Sequence, residues 1–309
     1  MSSFVFCGTP RFAVPTLETL VHADFPVLLV VTQPDKPSGR GLTLSPSPVK
    51  QSALALGLPI TQPERIKSND EFRAQLSALK PDAIIVVGYG RILPQWMIDL
   101  PCMGNINLHA SLLPRYRGAA PIQWAIARGE DVTGVTTMRI DGGLDTGDVL
   151  LQKEVRINPE DTAESLAPRL AAIGADLIVE TLRGLQAGTL SPRPQDHGNA
   201  TLAPILKKED GRIDFRQPAQ EICNRLRGFQ PWPGAFTTFR GKNLHIWNAA
   251  ASQRYLPPGE LLIESDLLFV GCGGNALAPL EVQPEGKKRM AIRDFVHGYR
   301  PQTGEKLGS

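Results

Sequence analysis

The feature that most constrains the fold is the alternation of short apolar runs with longer amphipathic segments over residues 1–188. The runs at 4–8 and 26–32 are apolar at nearly every position, which is typical of strands buried on both faces. Strands that alternate with helical segments form a parallel sheet covered by helices. We therefore predict a doubly wound, mostly parallel α/β domain over residues 1–188, with a closing helix that begins at Thr162 and ends near Ala187.

A different pattern begins after a segment rich in proline, glycine and polar residues at 189–206. That segment has neither the helical nor the strand period, so we interpret it as a linker. Beyond it, one helical pattern at 219–229 precedes several short strand-like runs that turn residues separate. Such a series is typical of a small β-barrel, and we predict one over residues 207–309.

Length and composition limit the classes of protein. The chain has 309 residues, of which 42% are hydrophobic and 21% charged, so it is too apolar for a disordered protein and long enough for two ordinary domains. No apolar run approaches the roughly 20 residues that cross a bilayer, and the N-terminus shows no basic leader or cleavage site. We predict a cytoplasmic protein without a membrane partner, and a monomer because no segment marks a self-association surface.

Cysteine and charge patterns narrow the chemistry further. The four cysteines lie far apart with no CxxC pair and no histidine at metal-ligand spacing, so no metal site is predicted. Residues 207–309 carry 15 Lys and Arg against 11 Asp and Glu, whereas residues 1–206 carry 18 against 20. This asymmetry indicates a C-terminal domain that faces an acidic partner, with a solvated charged face as the alternative.

The turn after the first strand, CGTPRF at 7–12, argues against dinucleotide binding. It has one glycine where the dinucleotide fingerprint needs GxGxxG, and no acidic residue ends a second strand at the expected place. NAD and FAD are therefore not expected as cofactors.

The segment GNINLHASLLP at 104–114 carries the strongest chemical signal. Alternate side chains of a strand share a face, so Asn105, Asn107 and His109 point to one side. Polar groups at the carboxyl end of a buried strand need polar partners, and that end opens into the ligand crevice of open α/β sheets. A histidine satisfied by a backbone carbonyl is the structural alternative, but the pairing of Asn107 with His109 favours a functional site.

A second polar segment, DGGLDTGD at 141–148, follows the strand predicted at 132–140. It joins glycines to three aspartates that we expect at the same end of the sheet, with Asp145 beside His109. A carboxylate fixes the tautomer of a neighbouring imidazole and favours its cation, which stabilises an oxyanion. A plain turn between two strands is the alternative for this segment.

A Ser/His/Asp hydrolase built from Ser111, His109 and Asp145 is the competing interpretation on residue types. The segment lacks the GxSxG elbow of such enzymes. A serine two residues from its own base also has poor geometry in an extended strand. We therefore expect no covalent nucleophile.

Several blocks of the sequence share a known pattern. The strong ones are FCGTPRFAVP at 6–15, TQPDKPSGRG at 32–41, SPVKQSA at 47–53, INLHASLLPRYRGAAPIQWAI at 106–126 and GLDTGD at 143–148. Weaker ones are RIDF at 212–215 and QPWPGAFT at 230–237. Together they span most of the chain and resemble the family of 10-formyltetrahydrofolate-dependent formyltransferases, and the GRG loop resembles that of a member acting on tRNA.

The resemblance implies transfer of a formyl group from 10-formyltetrahydrofolate to the α-amine of initiator methionyl-tRNA. By motif, Asn107, His109 and Asp145 are the implied catalytic residues. The first two would donate hydrogen bonds to the oxyanion, and Asp145 would hold His109 and help to move a proton through water. The implied folate-binding residues are Ser111, Leu112, Leu113, Pro114, Tyr89 and Asp141.

The resemblance also implies that RNA contacts the loop at 33–48 and a C-terminal domain of OB-like type. In the loop, Lys36 and Arg40 would form a basic finger that reaches phosphates. Trp232 and Trp247 are candidates to stack on bases, with packing as the alternative. The implied backbone contacts of the C-terminal domain are Lys207, Lys208, Lys287, Lys288, Arg289 and Arg293.

Two other functions compete with tRNA formylation. One is an enzyme of the same fold that formylates an amino sugar nucleotide or a purine precursor, or hydrolyses the folate. The GRG loop and the basic C-terminal domain argue against it. The other is a non-enzymatic RNA-binding protein, against which the presence of Asn107, His109 and Asp145 argues.

Overall fold

The computed structural model describes residues 2–38 and 43–308 of the chain. They divide into two compact units. Unit 1 comprises Met1–Gly118, Thr133–Arg156 and Ala167–Leu202, and unit 2 comprises Ala119–Val132, Ile157–Leu166 and Ala203–Ser309. The chain therefore passes between the units more than once, whereas the sequence analysis placed a single boundary at 189–206.

Unit 1 is built on a mixed sheet that confirms the predicted α/β class. The strands of this unit are β1 Phe4–Gly8, β2 Val27–Val31, β3 Lys36–Ser38, β4 Thr43–Ser45, β5 Ile60–Thr61, β6 Ala83–Val87, β7 Asn105–His109, β8 Val132–Arg139 and β9 Val149–Arg156. In the described part of the chain, seven of them form one sheet in the order β5-β2-β1-β6-β7-β8-β9. The pairs from β5 to β7 are parallel, and β8 is antiparallel to β7.

The helices are α1 Val14–His22, α2 Pro48–Ala55, α3 Asp70–Leu79, α4 Gln95–Ile98, α5 Pro121–Ala127, α6 Ala163–Gln186, α7 Ala219–Gly228 and α8 Ile292–Tyr299. The segment ILPQWMIDL at 92–100 has a helical pattern, but only its middle part, α4, is helical in the structure. The first and last residues of α4 lie between Pro94 and Pro101. Helical backbone angles are unfavourable for a residue that precedes proline, here Leu93 and Leu100. This restriction explains why α4 is short at both ends.

The centre of the unit 1 sheet is apolar on both faces, as the continuous runs predict. Every residue of β1 and β6 is buried. On one face, Val5, Cys7 and Ile84 pack against Phe72 of α3 and Met97 of α4. Each fully buried side chain of this size contributes about 1.5 to 3 kcal/mol of transfer free energy. This core holds the central strands, and hence the carboxyl end of β7, in a fixed place.

The long loop after β2 contains the antiparallel pair β3–β4. Its base is tied to α2 by an ion pair of 2.6 Å between Lys50 Nζ and Asp35 Oδ2, and Gln62 Nε2 donates to the other oxygen of Asp35 at 2.7 Å. These contacts, the hydrogen bonds first, hold the pKa of Asp35 below its usual value. Arg40, predicted at the tip, lies outside the described residues.

Part of the segment interpreted as a linker makes regular contacts within unit 1. Val149 and Arg193 exchange two backbone hydrogen bonds of 2.8 Å, and Arg117 bridges Leu202 in parallel. The sequence could not predict these contacts, because each involves only one or two residues and leaves no periodic hydrophobic pattern. The segment therefore runs along unit 1 in an ordered path.

Unit 2 contains an antiparallel sheet, which confirms the run of short strands expected after residue 207. The strands are β10 Phe236–Phe239, β11 Lys242–Ser252, β12 Leu261–Glu264, β13 Leu267–Gly271, β14 Ala276–Pro284 and β15 Met290–Ala291. Their order is β10-β11-β14-β13-β12, with β15 on β14. Side chains of this sheet, including Ile246 and Val282, form a core with Ile222 of α7 and Phe295 of α8.

A close helix contact also shapes unit 2. Gly228, the last residue of α7, lies against α5, and a Cβ at this position would stand 2.6 Å from the carbonyl oxygen of Gln123. Trp124 and Phe229 meet edge to face beside it, with ring centroids 5.3 Å apart. Only glycine permits this approach.

Across the described ranges, no helix has the length and apolar character that a membrane span requires.

Candidate active site

The polar face of β7 divides into a structural residue and two residues of the candidate site. The Asn105 side chain is buried, and its Nδ2 donates to the carbonyl oxygens of Met97 and Ile98 at 3.2 and 2.8 Å. Asn105 therefore anchors α4. Asn107 is partly exposed, and its amide makes no hydrogen bond to any residue that the structure describes. It is the donor on this face that is available to a ligand.

His109, the last residue of β7, is held on both sides of its ring. Its Nε2 lies 2.9 Å from the carbonyl oxygen of Tyr116, and its Nδ1 lies 3.6 Å from Asp145 Oδ2. The side chain of His109 is only 6% exposed, and that of Asp145 is 18% exposed. Both partners are acceptors, but 3.6 Å is too long for a hydrogen bond, so the bond from Nε2 to the Tyr116 carbonyl is the one that orients the ring.

The two predicted oxyanion donors therefore differ. Both ring nitrogens of His109 face protein acceptors, so a direct hydrogen bond from His109 to a substrate requires one of these contacts to open. The amide of Asn107 needs no such change. In the arrangement observed, Asn107 offers a hydrogen bond, whereas His109 offers a positive charge at short range when it is protonated.

Asp145 reaches His109 by a route that the sequence analysis did not foresee. Because β8 is antiparallel to β7, its last residue, Arg139, lies beside Ile106 near the start of β7. The strand that precedes the aspartates therefore ends away from His109, contrary to the expected common end of the sheet, whereas Asp145 does lie beside His109 as expected. The loop at 141–148 instead returns along the strand and brings the Asp145 carboxylate to His109.

The loop that carries Asp145 is held in an unusual backbone conformation. Asp145 has φ +52°, a left-handed value that L-residues other than asparagine and aspartate rarely adopt. Its Oδ2 accepts a hydrogen bond of 2.9 Å from the backbone N–H of Gly118. Asp141 acts inside the loop, because its Oδ1 accepts from Gly143 N and from Thr146 Oγ1. Asp141 is thus a support of the loop in this structure.

The predicted folate segment is fixed by two neighbouring strands. The Oγ of buried Ser111 donates to the Arg115 carbonyl at 2.6 Å, so this hydroxyl is occupied locally. Thr136 Oγ1 donates to the Ser111 carbonyl at 2.6 Å and accepts from Leu113 N at 3.2 Å. Gln152 Nε2 donates to the Leu113 carbonyl at 2.9 Å. Together these bonds set the course of the segment over β8 and β9.

A cavity of about 590 Å³ lies beside this segment. Residues 112–115 form one wall, and residues 198–201 form the other. Leu112 and Pro114 are partly exposed, whereas Leu113 is buried among Met138 and Val149. The wall is therefore largely apolar, as a flat ring system would require.

Tyr89, predicted to line the folate crevice, is buried. Its side chain is only 1% exposed and packs in the core with Cys7, and its hydroxyl has no partner among the described residues. This burial raises the pKa of the Tyr89 phenol. In this arrangement the side chain belongs to the core, and the assignment of Tyr89 to the folate crevice stays a prediction.

The basic residues predicted to contact RNA are exposed where the structure describes them. Lys36 donates to Gln33 Oε1 at 3.0 Å. In unit 2, the guanidinium of Arg289 lies 3.4 Å from the centroid of the Trp247 ring, which stacks on His245. The six predicted RNA-contacting cations of unit 2, hereafter called the basic face, are all exposed: Lys207, Lys208, Lys287, Lys288, Arg289 and Arg293.

The two units each match a described family. Residues 1–182 match the family model for formyl transferase, and residues 205–300 match that for formyl transferase, C-terminal domain. The chain belongs to the formyl transferase family. The resemblance inferred from the sequence blocks is thereby confirmed.

Relatives of this formyl transferase cover its full length. It is 70% identical over 305 residues to a protein of Koribacter versatilis named methionyl-tRNA formyltransferase, with 98% of each chain covered. It is 60% identical over 308 residues to the protein of that name from Acidobacterium capsulatum, with 99% of each covered. A solved N-formyltransferase from Helicobacter canadensis, in complex with folinic acid and dTDP-3-aminofucose, has a TM-score of 0.68 at 19% identity and covers 92% of this chain and 100% of that one. At this identity the last comparison concerns the fold alone.

Sequence analysis of this formyl transferase missed two residues near the Asp145 loop: Gln195, which contacts it, and Arg117, which contacts Gln195. Arg117 lies inside the INLHASLLPRYRG block but was not singled out, and Gln195 lies in the segment interpreted as a linker. Gln195 Nε2 donates to the carbonyl oxygens of Asp145 and Gly147. Both side chains are buried. The sequence could not predict this, because neither polar residue lies in a run with a hydrophobic period.

Proposed function

We propose that the chain transfers the formyl group of 10-formyltetrahydrofolate to the α-amine of initiator methionyl-tRNA. The observation that carries the proposal is the Asn107 amide, which has no hydrogen-bond partner among the described residues, on the same strand as His109 of the His109–Asp145 pair. The 70% identity to a protein named methionyl-tRNA formyltransferase supports the choice of acceptor. Catalysis is assigned to Asn107, His109 and Asp145.

In the first step, the neutral α-amine attacks the formyl carbon, so a C–N bond forms and the carbonyl oxygen becomes an oxyanion. The Asn107 amide donates a hydrogen bond to that oxygen as its charge grows. One such donor is typically worth about 3 to 4 kcal/mol in a site shielded from water. The cationic form of His109 adds attraction at short range because the low exposure of the site limits screening.

In the second step, the bond from the formyl carbon to N10 breaks. The attacking amine loses one proton and N10 gains one, so the proton count balances without an outside acid. The proposal assigns to Asp145 the role of receiving that proton and passing it on through water. The 18% exposure of its carboxylate and its approach to His109 support this role. No covalent intermediate on the protein is needed, and Ser111 has its hydroxyl directed to the Arg115 carbonyl.

Reduced folate is assigned to the cavity beside Ser111, Leu112, Leu113 and Pro114, with the Asp141 loop at its edge. The apolar wall of that cavity suits the flat face of a pteridine ring. The carbonyl oxygens of Leu112 and Pro114 already accept hydrogen bonds from Arg115 N and Thr201 N, so the apolar wall carries this assignment. The proposal assigns no step to a metal ion.

The tRNA is assigned to the basic face of unit 2 and to the loop that holds Lys36 and Arg40. Exposed Lys and Arg side chains neutralise phosphates without reading sequence, which suits the backbone of an acceptor stem. The proposal also takes the protein to be a cytoplasmic monomer, and light scattering on the purified protein measures that state.

The deciding experiment is transfer of labelled formyl from 10-formyltetrahydrofolate. We expect labelled formylmethionine on charged initiator tRNA and none on the uncharged tRNA or on an amino sugar nucleotide. Label on the sugar nucleotide instead of the tRNA would replace the acceptor in this proposal. Binding of tRNA with no transfer to any amine would favour an RNA-binding protein.

A further inference from the structure

A residue outside the motifs holds the Asp145 loop. Gln195 lies in the segment that the sequence analysis interpreted as a linker, and its side chain is buried, with 7% of the residue exposed. Its Nε2 donates to the carbonyl oxygen of Asp145 at 2.9 Å and to that of Gly147 at 2.7 Å. The two hydrogens of one amide group therefore tie down both sides of the turn that presents the carboxylate.

The backbone of this turn adopts a conformation that its own residues do not readily maintain. Asp145 has φ +52°, and a Cβ on Gly147 would stand 2.0 Å from the carbonyl oxygen of Arg139. A non-glycine residue stays in the left-handed region when its surroundings impose that conformation. The hydrogen bonds from Gln195 are such an imposed constraint, and they act on the residue that faces His109.

Arg117 fixes which way the Gln195 amide points. Its Nε and Nη2 donate to Gln195 Oε1 at 3.2 and 2.6 Å, and its Nη2 also lies 3.0 Å from His197 Nδ1. A guanidinium only donates and backbone carbonyls only accept, so one orientation of the amide satisfies all four contacts of Gln195. The neighbouring Gly118 N–H donates to the Asp145 carboxylate. The adjacent residues Arg117 and Gly118 thus support the Asp145 backbone, through Gln195, and the Asp145 side chain directly.

We propose that Gln195 is a positioning residue of the formyl-transfer reaction, which holds the Asp145 backbone so that the carboxylate faces His109, with Arg117 orienting the Gln195 amide. The inference rests on the proposed function of Asp145. A glutamine that served only as a partner for the buried Arg117 guanidinium is the structural alternative. Positioning of Asp145 uses the Nε2 hydrogens of Gln195, whereas pairing with Arg117 uses Oε1. A variant that changes only one of these groups can therefore separate the two roles.

The test compares Gln195→Glu with Gln195→Met in the full chain. The carboxylate of Gln195→Glu still accepts from Arg117 but has no hydrogen for the carbonyls of Asp145 and Gly147, whereas Gln195→Met loses both ends. We expect both variants to lower kcat on the order of 100-fold, because a displaced catalytic group costs about that much. The KM values for folate and tRNA should stay within about twofold, since the proposal assigns neither ligand to Gln195.

A double-mutant cycle separates positioning from general stability. Because Gln195 acts through Asp145, Gln195→Met should lower kcat far less in the Asp145→Asn background than in the wild type, as measured in single turnovers. Asn105→Leu is the matched control, since Asn105 is also a buried amide that donates to two backbone carbonyls. Its effect on kcat, whatever its size, should be the same in both backgrounds.

Three results would overturn the inference. They are wild-type kcat in Gln195→Glu, an effect of Gln195→Met that is undiminished by Asp145→Asn, and loss of the folded state in both single variants. All rates are compared with the wild-type chain on the amine that it formylates. A different acceptor would therefore change the proposed function while leaving the test of Gln195 intact.

Discussion

The candidate active site of unit 1 and the basic face of unit 2 are built in opposite ways. In the active site, His109 and Asp145 are largely buried, and hydrogen bonds to Tyr116 and Gly118 direct each of them. On the basic face, the cations are exposed and only Arg289 rests on a ring, that of Trp247, among the predicted contacts that the structure describes. The proposed role of the active site therefore depends on the exact positions of its side chains, whereas that of the basic face depends on the number of exposed charges.

This difference has a physical consequence. Charges shielded from water interact strongly and are screened little by salt, so a displacement or a lost donor at the active site is costly. Exposed charges separated by water interact weakly one by one, and counterions compete with them. Substitutions in the active site should therefore act on kcat at any ionic strength, whereas those on the basic face should act on tRNA affinity and depend on salt.

The largest effect is expected for Asp145→Asn. The amide keeps the size of the side chain and can still accept from Gly118 N, but it removes the charge that faces His109 and the acceptor for the proton. We expect kcat to fall by about 10²- to 10⁴-fold with the fold preserved. Single-turnover formyl transfer at low and high salt measures it, with circular dichroism as the folding control. A near-normal rate would remove Asp145 from the mechanism.

The next effect is expected for Asn107→Ala, which removes the donor assigned to the oxyanion. We expect kcat to fall by about 10²- to 10³-fold, the usual loss for one such donor. The KM for tRNA should be unchanged, because the interaction forms in the transition state. Steady-state kinetics at two ionic strengths measure both constants. A raised KM with normal kcat would place Asn107 in substrate binding instead.

A smaller and salt-dependent effect is expected when Lys287 and Lys288 are both replaced by alanine. The KM for tRNA should rise, kcat should stay normal, and the slope of log affinity against log salt should become shallower by about 1.4 to 1.8 for two lost phosphate contacts. The matched control replaces the exposed lysines Lys67 and Lys153 of unit 1. An unchanged slope in the test variant, or an equal change in the control, would contradict this assignment of the basic face.

The smallest effect concerns the stability of unit 2 and its pH dependence. Burial, together with the nearby charges of Arg289 and Lys208, lowers the pKa of His245 in the folded state. The unfolded chain then binds the proton more readily, so the free energy of unfolding should decrease as pH falls below about 6.5, the unfolded pKa of histidine. Urea unfolding across this range should show a flatter acid side for His245→Gln. An unchanged acid slope would show that His245 is not the group responsible.

The fold and part of the site could be predicted from local patterns. The apolar runs at 4–8 and 26–32, which contain β1 and β2, predicted a buried sheet because continuous apolar strands indicate burial on both faces. Asn107 and His109 were placed together because a strand alternates its side chains, and the observed register keeps them on one face. The same rule also grouped Asn105 with them, although its amide serves the carbonyls of α4.

Other features depend on segments that are distant in sequence. The burial of Tyr89 follows from what packs around β6, and Gln195 approaches Asp145 across 50 positions of the chain. Neither has a periodic signal, because single long-range contacts leave no repeat in the sequence. The roles of the catalytic residues, the folate segment and the basic face stay predictions that the experiments above address.

By itself, the sequence determined the strand and helix alternation, the family through its motif blocks, and the shared face of Asn107 and His109. The tertiary structure alone decided that β8 runs antiparallel to β7, that the loop after it brings Asp145 back to His109, and that Gln195 supports that loop. The reason is that hydrophobic periodicity is a local property of the chain, whereas strand direction and long-range hydrogen bonds are settled only when distant segments pack together.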